Sequence, residues 1–201
     1  MISFSQGKDY YGFPVKTAGN HLLQMDFLET AGPRIVRLRS RMTGEVNLLA
    51  ELPHLCIPTP YGDYRVLGGH RMQTSPETSP YTYIPDERPV QINQMADGFE
   101  LIGPVEPETG LSRAFSVRFS DEQTGMIFRH WLTNHGDAAI QTAIWSLTIL
   151  PCGGKIIMPL RYKSGHTGSL LPDRSLVFWP YSRLGAGDFK LGEKTAILDV
   201  P

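Results

Sequence analysis

Short apolar runs in which every second residue is hydrophobic recur along this chain, with Gly and Pro punctuating them about every ten residues. The twenty Gly and sixteen Pro lie between the runs rather than in one linker. Strands written this way predict an all-β sandwich or barrel, and helical periodicity is hard to find. From His21 to Glu29, Leu23, Met25 and Phe27 alternate with Leu22, Gln24 and Asp26. From Arg34 to Arg41, Val36 and Leu38 alternate with Arg37 and Arg39. With the turn Thr30-Ala31-Gly32-Pro33 between them, the two runs predict a hairpin with Arg37, Arg39 and Arg41 on one solvated strand face.

The same rhythm predicts strands at Gln91 to Asn93, Phe99 to Ile102, Leu111 to Phe119 and Met126 to Asn134. Ile140 to Leu150 is apolar at many positions on both faces, so a central strand covered on both sides is expected there. Lys155 to Pro159, the run Ser175 to Pro180 and a last strand, Thr195 to Val200, complete the series. One β-sandwich domain is expected over 1–201. Because the chain stops at Pro201 directly after a strand, the intact domain is expected to continue beyond it.

The stretch from Leu67 to Pro89 breaks the rhythm. It holds a Gly pair, His70-Arg71, Glu77, Asp86, Tyr81 and Tyr83, and its prolines forbid a long helix and interrupt any central strand. That composition suits a ligand site or an elaborate loop. The Pro-rich segment before it, Leu52 to Tyr64, is expected to be a half-buried loop. Its His54 and Cys56, two apart, make a zinc site only if two further ligands arrive from elsewhere, and no second cluster with ligand spacing exists. No metal and no cofactor is expected.

A net charge of -1 argues against a nucleic-acid surface, which is normally basic with clustered Lys and Arg. Neither a secretory signal nor an apolar run long enough to span a bilayer is present, so a cytoplasmic protein without membrane partners is expected. Two cysteines far apart, Cys56 and Cys152, imply no disulfide framework.

Several blocks together carry a family resemblance: Gly68-Gly69-His70-Arg71, Ser75-Pro76-Glu77, Tyr83-Ile84-Pro85-Asp86, Pro89-Val90, Pro104-Val105-Glu106-Pro107 and Thr109-Gly110-Leu111. Leu132-Thr133-Asn134 with His135-Gly136-Asp137, then Leu170-Leu171-Pro172, Arg174-Ser175-Leu176 and Trp179-Pro180-Tyr181, extend it over most of the chain. The chain resembles a family of uncharacterised bacterial proteins assigned to the galactose mutarotase-like superfamily, which includes the aldose epimerases. The resemblance implies a supersandwich of two large, mostly antiparallel sheets with a carbohydrate bound in a concave cleft.

Aldose epimerases place a His acid on the strand after the Leu-Thr-Asn turn and a Glu base nearer the C-terminus. Here that strand reads Gln141-Thr142-Ala143-Ile144-Trp145-Ser146-Leu147 and has no His. The resemblance carries over for Arg71, which matches a sugar-binding arginine; the alternative is an arginine that pins the loop through Glu77 or Asp86. His70 either faces the pocket and replaces the missing acid or bonds to loop backbone. Glu77 and Asp86 are either a base or hydroxyl acceptors in a site, or acceptors for free loop amides. Tyr81 and Tyr83 have rings suited to stacking on a sugar, and Trp145 belongs either to the core or to the sugar's apolar face. The function expected is carbohydrate binding, with an aldose epimerase-type isomerase using a rearranged acid and base pair, His70 and Glu77, as the alternative. A structural interaction module is the further alternative.

Overall fold

The computed structural model describes residues 2–44, 46–160, 177, 179 and 187–200. The expected motifs at 170–172, 174–176 and 180–181, and most of the run 175–180, lie outside the described residues. The chain forms two units, 1–151 and 152–201. Among the described residues the structure is all-β, built from antiparallel pairs, with one turn of 3₁₀ helix at Tyr81–Tyr83.

With strands numbered in chain order, the first unit contains a six-stranded sheet. Across it lie β1 (Ser3–Gln6), β2 (Val15–Gly19), β3 (Leu23–Leu28), β4 (Arg34–Ser40), β7 (His70–Ser75) and β12 (Ala143–Thr148). A four-stranded sheet runs β11 (Met126–Asn134), β10 (Leu111–Phe119), β9 (Gly98–Ile102) and β8 (Gln91–Met95). A separate two-stranded ribbon pairs β5 (Glu51–Thr59) with β6 (Gly62–Gly68). The second unit holds β13 (Gly154–Pro159), β15 (Thr195–Val200) and β14 (Phe189–Leu191), paired in that order.

The alternation of apolar residues explains how the two large sheets face each other. Leu23, Met25 and Phe27 of β3 bury against Phe99 and Leu101 of β9 and Phe115, Val117 and Phe119 of β10 in one core. Phe27 stacks on Phe99 with ring centroids 4.5 Å apart. This is sheet-on-sheet packing through interdigitated inner faces. A second buried cluster, Tyr10, Phe13, Val15, Leu28, Ala31, Val36 and Leu67, covers the opposite face of the six-stranded sheet.

The hairpin expected over 21–41 is present as β3 and β4, but the register shifts between Asp26 and Phe27, where Phe27 pairs with Ile35 and Asp26 with Arg37. The extra residue is a β-bulge. It turns Ile35 and Leu38 toward the inner core and leaves Val36 on the outer face with Arg37. The arginine face is not solvated as expected, because Asp26, Glu51 and the Lys8 and Asp9 carbonyls engage it. Arg37 is buried, and Arg37 and Arg39 both reach buried Asp26; only Arg41, past the strand end, is exposed.

Two further expectations change. The Pro-rich stretch is a strand, β5, whose partner among the described residues is β6; Pro53 and Pro58 are tolerated because an edge strand does not need every amide in a ladder. Its His54 and Cys56 are exposed. The run 140–150 forms β12, which among the described residues pairs with β7 alone, with side chains exposed or half-buried rather than covered on both sides. Among the described residues β12 is the last strand of its sheet, so the cover its apolar content calls for is not supplied by a second described neighbour.

Candidate functional site

The Gly-Gly-His-Arg block is the junction between the ribbon and the main sheet. Leu67, Gly68 and Gly69 have φ of 57, 79 and 69°, three consecutive left-handed residues. A Cβ on Gly69 would lie 1.9 Å from the Ile35 carbonyl oxygen, and one on Gly68 2.0 Å from that of Ala50. Only glycine lets the backbone pass so close. The crossing delivers His70 and Arg71 into β7, where successive side chains take opposite faces.

Arg71 goes to the outer face, opposite Arg34 of β4 and Leu147 of β12. Gln73 follows on that face, opposite Trp145. The ribbon lays Tyr64 over them and makes it a hub. Its hydroxyl accepts from Gln73 Nε2 at 2.8 Å and Arg34 Nη2 at 3.3 Å, and the Arg71 guanidinium carbon lies 5.9 Å from its ring centroid. Tyr83 sits beside it, rings 5.6 Å apart.

Asp86 pins the loop, but through Arg34 rather than Arg71: Arg34 Nη2 donates to Asp86 Oδ2 at 2.7 Å. Burial alone would lower the pKa of Arg34; Asp86 and Tyr64 reverse this and raise it. Arg71, 6% exposed, has no carboxylate partner among the described residues, and its Nε is buried without a hydrogen bond. Burial, reinforced by Arg34, lowers its pKa. Glu77 is exposed and accepts from the Tyr83 hydroxyl. Trp145 is half-buried on β12.

β4 and β7 pair only at Arg34 with Arg71 and Ile35 with His70, then splay apart. The gap is bordered by Met72 and Gln73 of β7, Asp86 and Arg88 of the loop, and Glu106 and Arg113 from the four-stranded sheet and its preceding turn. Its enclosed space is about 20 Å³, room for one water-sized group. Arg113, 8% exposed, pairs with Glu106, which Thr109 Oγ1 also holds at 2.8 Å. Burial depresses the Arg113 pKa, with Asp86 opposing. Arg113 Nε and Nη2, Gln73 Oε1 and Asp86 Oδ1 are all buried without hydrogen bonds. Buried polar atoms are nearly always paired, so four unmet atoms around one water-sized gap call for a small polar guest, a water or a ligand's hydroxyl.

His70 turns to the inner face. Its Nδ1 lies 2.8 Å from Thr148 Oγ1 and its Nε2 2.9 Å from His130 Nε2 of β11. Burial first, then His130 and Arg71, push its pKa down to about 4, and burial lowers that of His130. They border an inter-sheet cavity of about 270 Å³. A third cavity, about 520 Å³, is lined on the outer face by Lys8, Asp9, Tyr11, Arg37, Arg39 and Glu51.

The residues expected to act together are therefore divided. Arg71, Asp86, Tyr83 and Trp145 belong with the outer face and its loop, Glu77 is on the exposed part of that loop, and His70 is on the far side of β7. Arg71 lines none of these three cavities. Tyr64, Gln73, Arg34, Arg113 and His130 were not singled out by sequence reasoning. Arg113 and His130 carried a signal, a charged or titratable residue in the inward register of an apolar strand. Among the described residues no three His, Cys, Asp or Glu side chains are grouped to hold a metal, and no helix is long and apolar enough to cross a membrane. Comparison with family models, curated proteins and solved structures finds no match.

Proposed function

We propose that the protein binds a carbohydrate, as part of a galactose mutarotase-like supersandwich, and that the gap between β4 and β7 receives one of the sugar's hydroxyl groups. The observation that carries this is the mixture of unmet atoms around that gap. Arg113 Nε and Nη2 can only donate, and Gln73 Oε1 and Asp86 Oδ1 accept. A hydroxyl does both. An anion would serve Arg113 but meet Asp86 and Glu106, and a cation would serve the carboxylates but meet Arg113. A single neutral hydroxyl satisfies every wall, and a polyol supplies one, as a water would.

Arg71, Tyr64, Tyr83 and Trp145 do not line the gap; they lie near it on the outer face of β7 and its loop, and supply a buried guanidinium and aromatic rings of the kind that suit the polar edge and apolar face of a pyranose. We propose binding and not isomerisation. Isomerisation needs acid and base at hydrogen-bond reach of one ring, and His70 and Glu77 lie on opposite sides of β7 and its loop.

Saturation-transfer NMR with a panel of aldoses and sugar alcohols tests it. Saturable binding of at least one member is expected, weakened about fivefold or more in Gln73→Met, which removes an acceptor while keeping side-chain length. No binding by any member, or equal binding by the variant, would overturn it. Accelerated anomeric exchange by wild type would favour the isomerase instead.

A further inference from the structure

We propose that the inter-sheet cavity at His70 and His130 is a second binding site, for a small uncharged molecule with a ring-sized apolar body and a single hydroxyl group. This does not depend on carbohydrate binding at the gap between β4 and β7.

The cavity has two kinds of wall. Met25, Ile35, Leu38, Leu49 and Phe128 make the apolar part, and Ser146 and Thr148 of β12 join the two histidines as the polar part. Its volume of about 270 Å³ is larger than the ~150 Å³ apolar cavity that is known to take up benzene. Ser146 and Thr148 are exposed, so the cavity opens to solvent along β12 and a ligand can enter from that side.

The polar wall specifies the head group. At 2.9 Å, one Nε2 must donate to the other, so both Nε2 atoms cannot be protonated together, and burial of the two rings disfavours the cation that remains possible. The chain Thr148, His70, His130 then has two arrangements. In one, His130 Nε2 donates to His70 Nε2, His70 Nδ1 donates to Thr148, the Thr148 hydroxyl is left to donate and His130 Nδ1 to accept. In the other, every proton moves one place, so that His130 Nδ1 donates and Thr148 accepts. Both ends therefore match a hydroxyl in either arrangement. A carboxylate finds no cation there, and an ammonium finds no anion. The rings are also held in place: His70 is 8% exposed and packs 4.7 Å from Phe128 and 5.6 Å from Phe115, centroid to centroid.

Phenol is the probe, with toluene and benzoate as controls, titrated into protein carrying 13C-methyl methionine and 15N-histidine. Phenol is expected to shift the Met25 methyl and the His70 and His130 ring nitrogens saturably. Toluene should bind at least about fivefold more weakly, for want of the hydroxyl, and benzoate should not bind. His130→Phe keeps the ring and should bring phenol down to the affinity of toluene. Leu38→Trp fills the cavity and should abolish binding; unshifted methyl signals from the other methionines show that it folds. An unperturbed Met25 methyl in wild type, equal affinities for phenol and benzoate, or full binding by folded Leu38→Trp would overturn the proposal.

Discussion

Arg34, wholly removed from solvent, donates from Nη2 to Asp86 Oδ2 at 2.7 Å across 52 residues of chain. Its other contacts, the Val66 and Arg65 carbonyls and the Tyr64 hydroxyl, cannot neutralise it. The charge balance at the centre of the loop thus rests on Asp86. Asp86→Asn should destabilise by about 3–5 kcal/mol, since removing one member strands a buried charge. The double variant Arg34→Met with Asp86→Leu should regain much of the loss. Urea unfolding of the set measures both, and a double variant no more stable than the single one would contradict the pairing.

The glycine crossing makes a second prediction. Gly69→Ala puts a Cβ 1.9 Å from a backbone oxygen at φ of 69°. The cost should exceed the about 1–3 kcal/mol of a left-handed non-glycine residue alone, because the neighbour is main chain and cannot swing aside. Gly44→Ala, also at positive φ but with open space around it, is the control and should cost less. Thermal unfolding compares them.

Burial of the histidine pair makes stability pH-dependent. The His70 pKa, pushed down to about 4 chiefly by burial, lies below the ordinary value near 6.5. Between the two, the unfolded chain binds a proton that the folded one refuses. The contribution is therefore fully present above about pH 6.5 and is lost as pH falls toward about 4, on the order of 3 kcal/mol in all. Urea midpoints across that range should fall less steeply for His70→Gln than for wild type; parallel slopes would count against the mechanism.

Asp26 is the acceptor that makes the buried basic face of β4 tolerable. Thr17 Oγ1 donates to it at 2.7 Å, Arg39 at 3.1 Å and Arg37 at 3.3 Å. Asp26→Asn should cost about 3 kcal/mol. Because the group is 1% exposed, the effect should persist in high salt, unlike that of a surface pair. Denaturation at low and high ionic strength separates the two cases.

The strands of the core were legible in the sequence. Phe115, Val117 and Phe119 point inward as their spacing requires, and the turn at 30–33 joins the two strands it was expected to join. Three features misled. The bulge opposite Asp26 and Phe27 inserts Val36 and puts it on the face opposite the one simple alternation assigns. The prolines of β5 resembled a loop because a strand that needs few ladder bonds tolerates them. The apolar run of β12 resembled a central strand because composition reports the need for cover, not what supplies it.

Local patterning by itself determined that this chain forms antiparallel strands, where most of them lie, and that His70 and Arg71 must point apart. Those outcomes depend on period-two geometry and on glycine's access to left-handed backbone, both properties of a few adjacent residues. Only the tertiary structure decided that Asp86 goes to Arg34, that Tyr64 gathers Arg71 and Gln73, that Arg113 looks into the gap beside β7, and that His70 meets His130. Tyr64 is carried back over residues seven and nine positions ahead by the ribbon, while the other partners lie tens of residues apart and are chosen by strand order, register and the approach of one sheet to the other. A spacing rule along one strand cannot reach them.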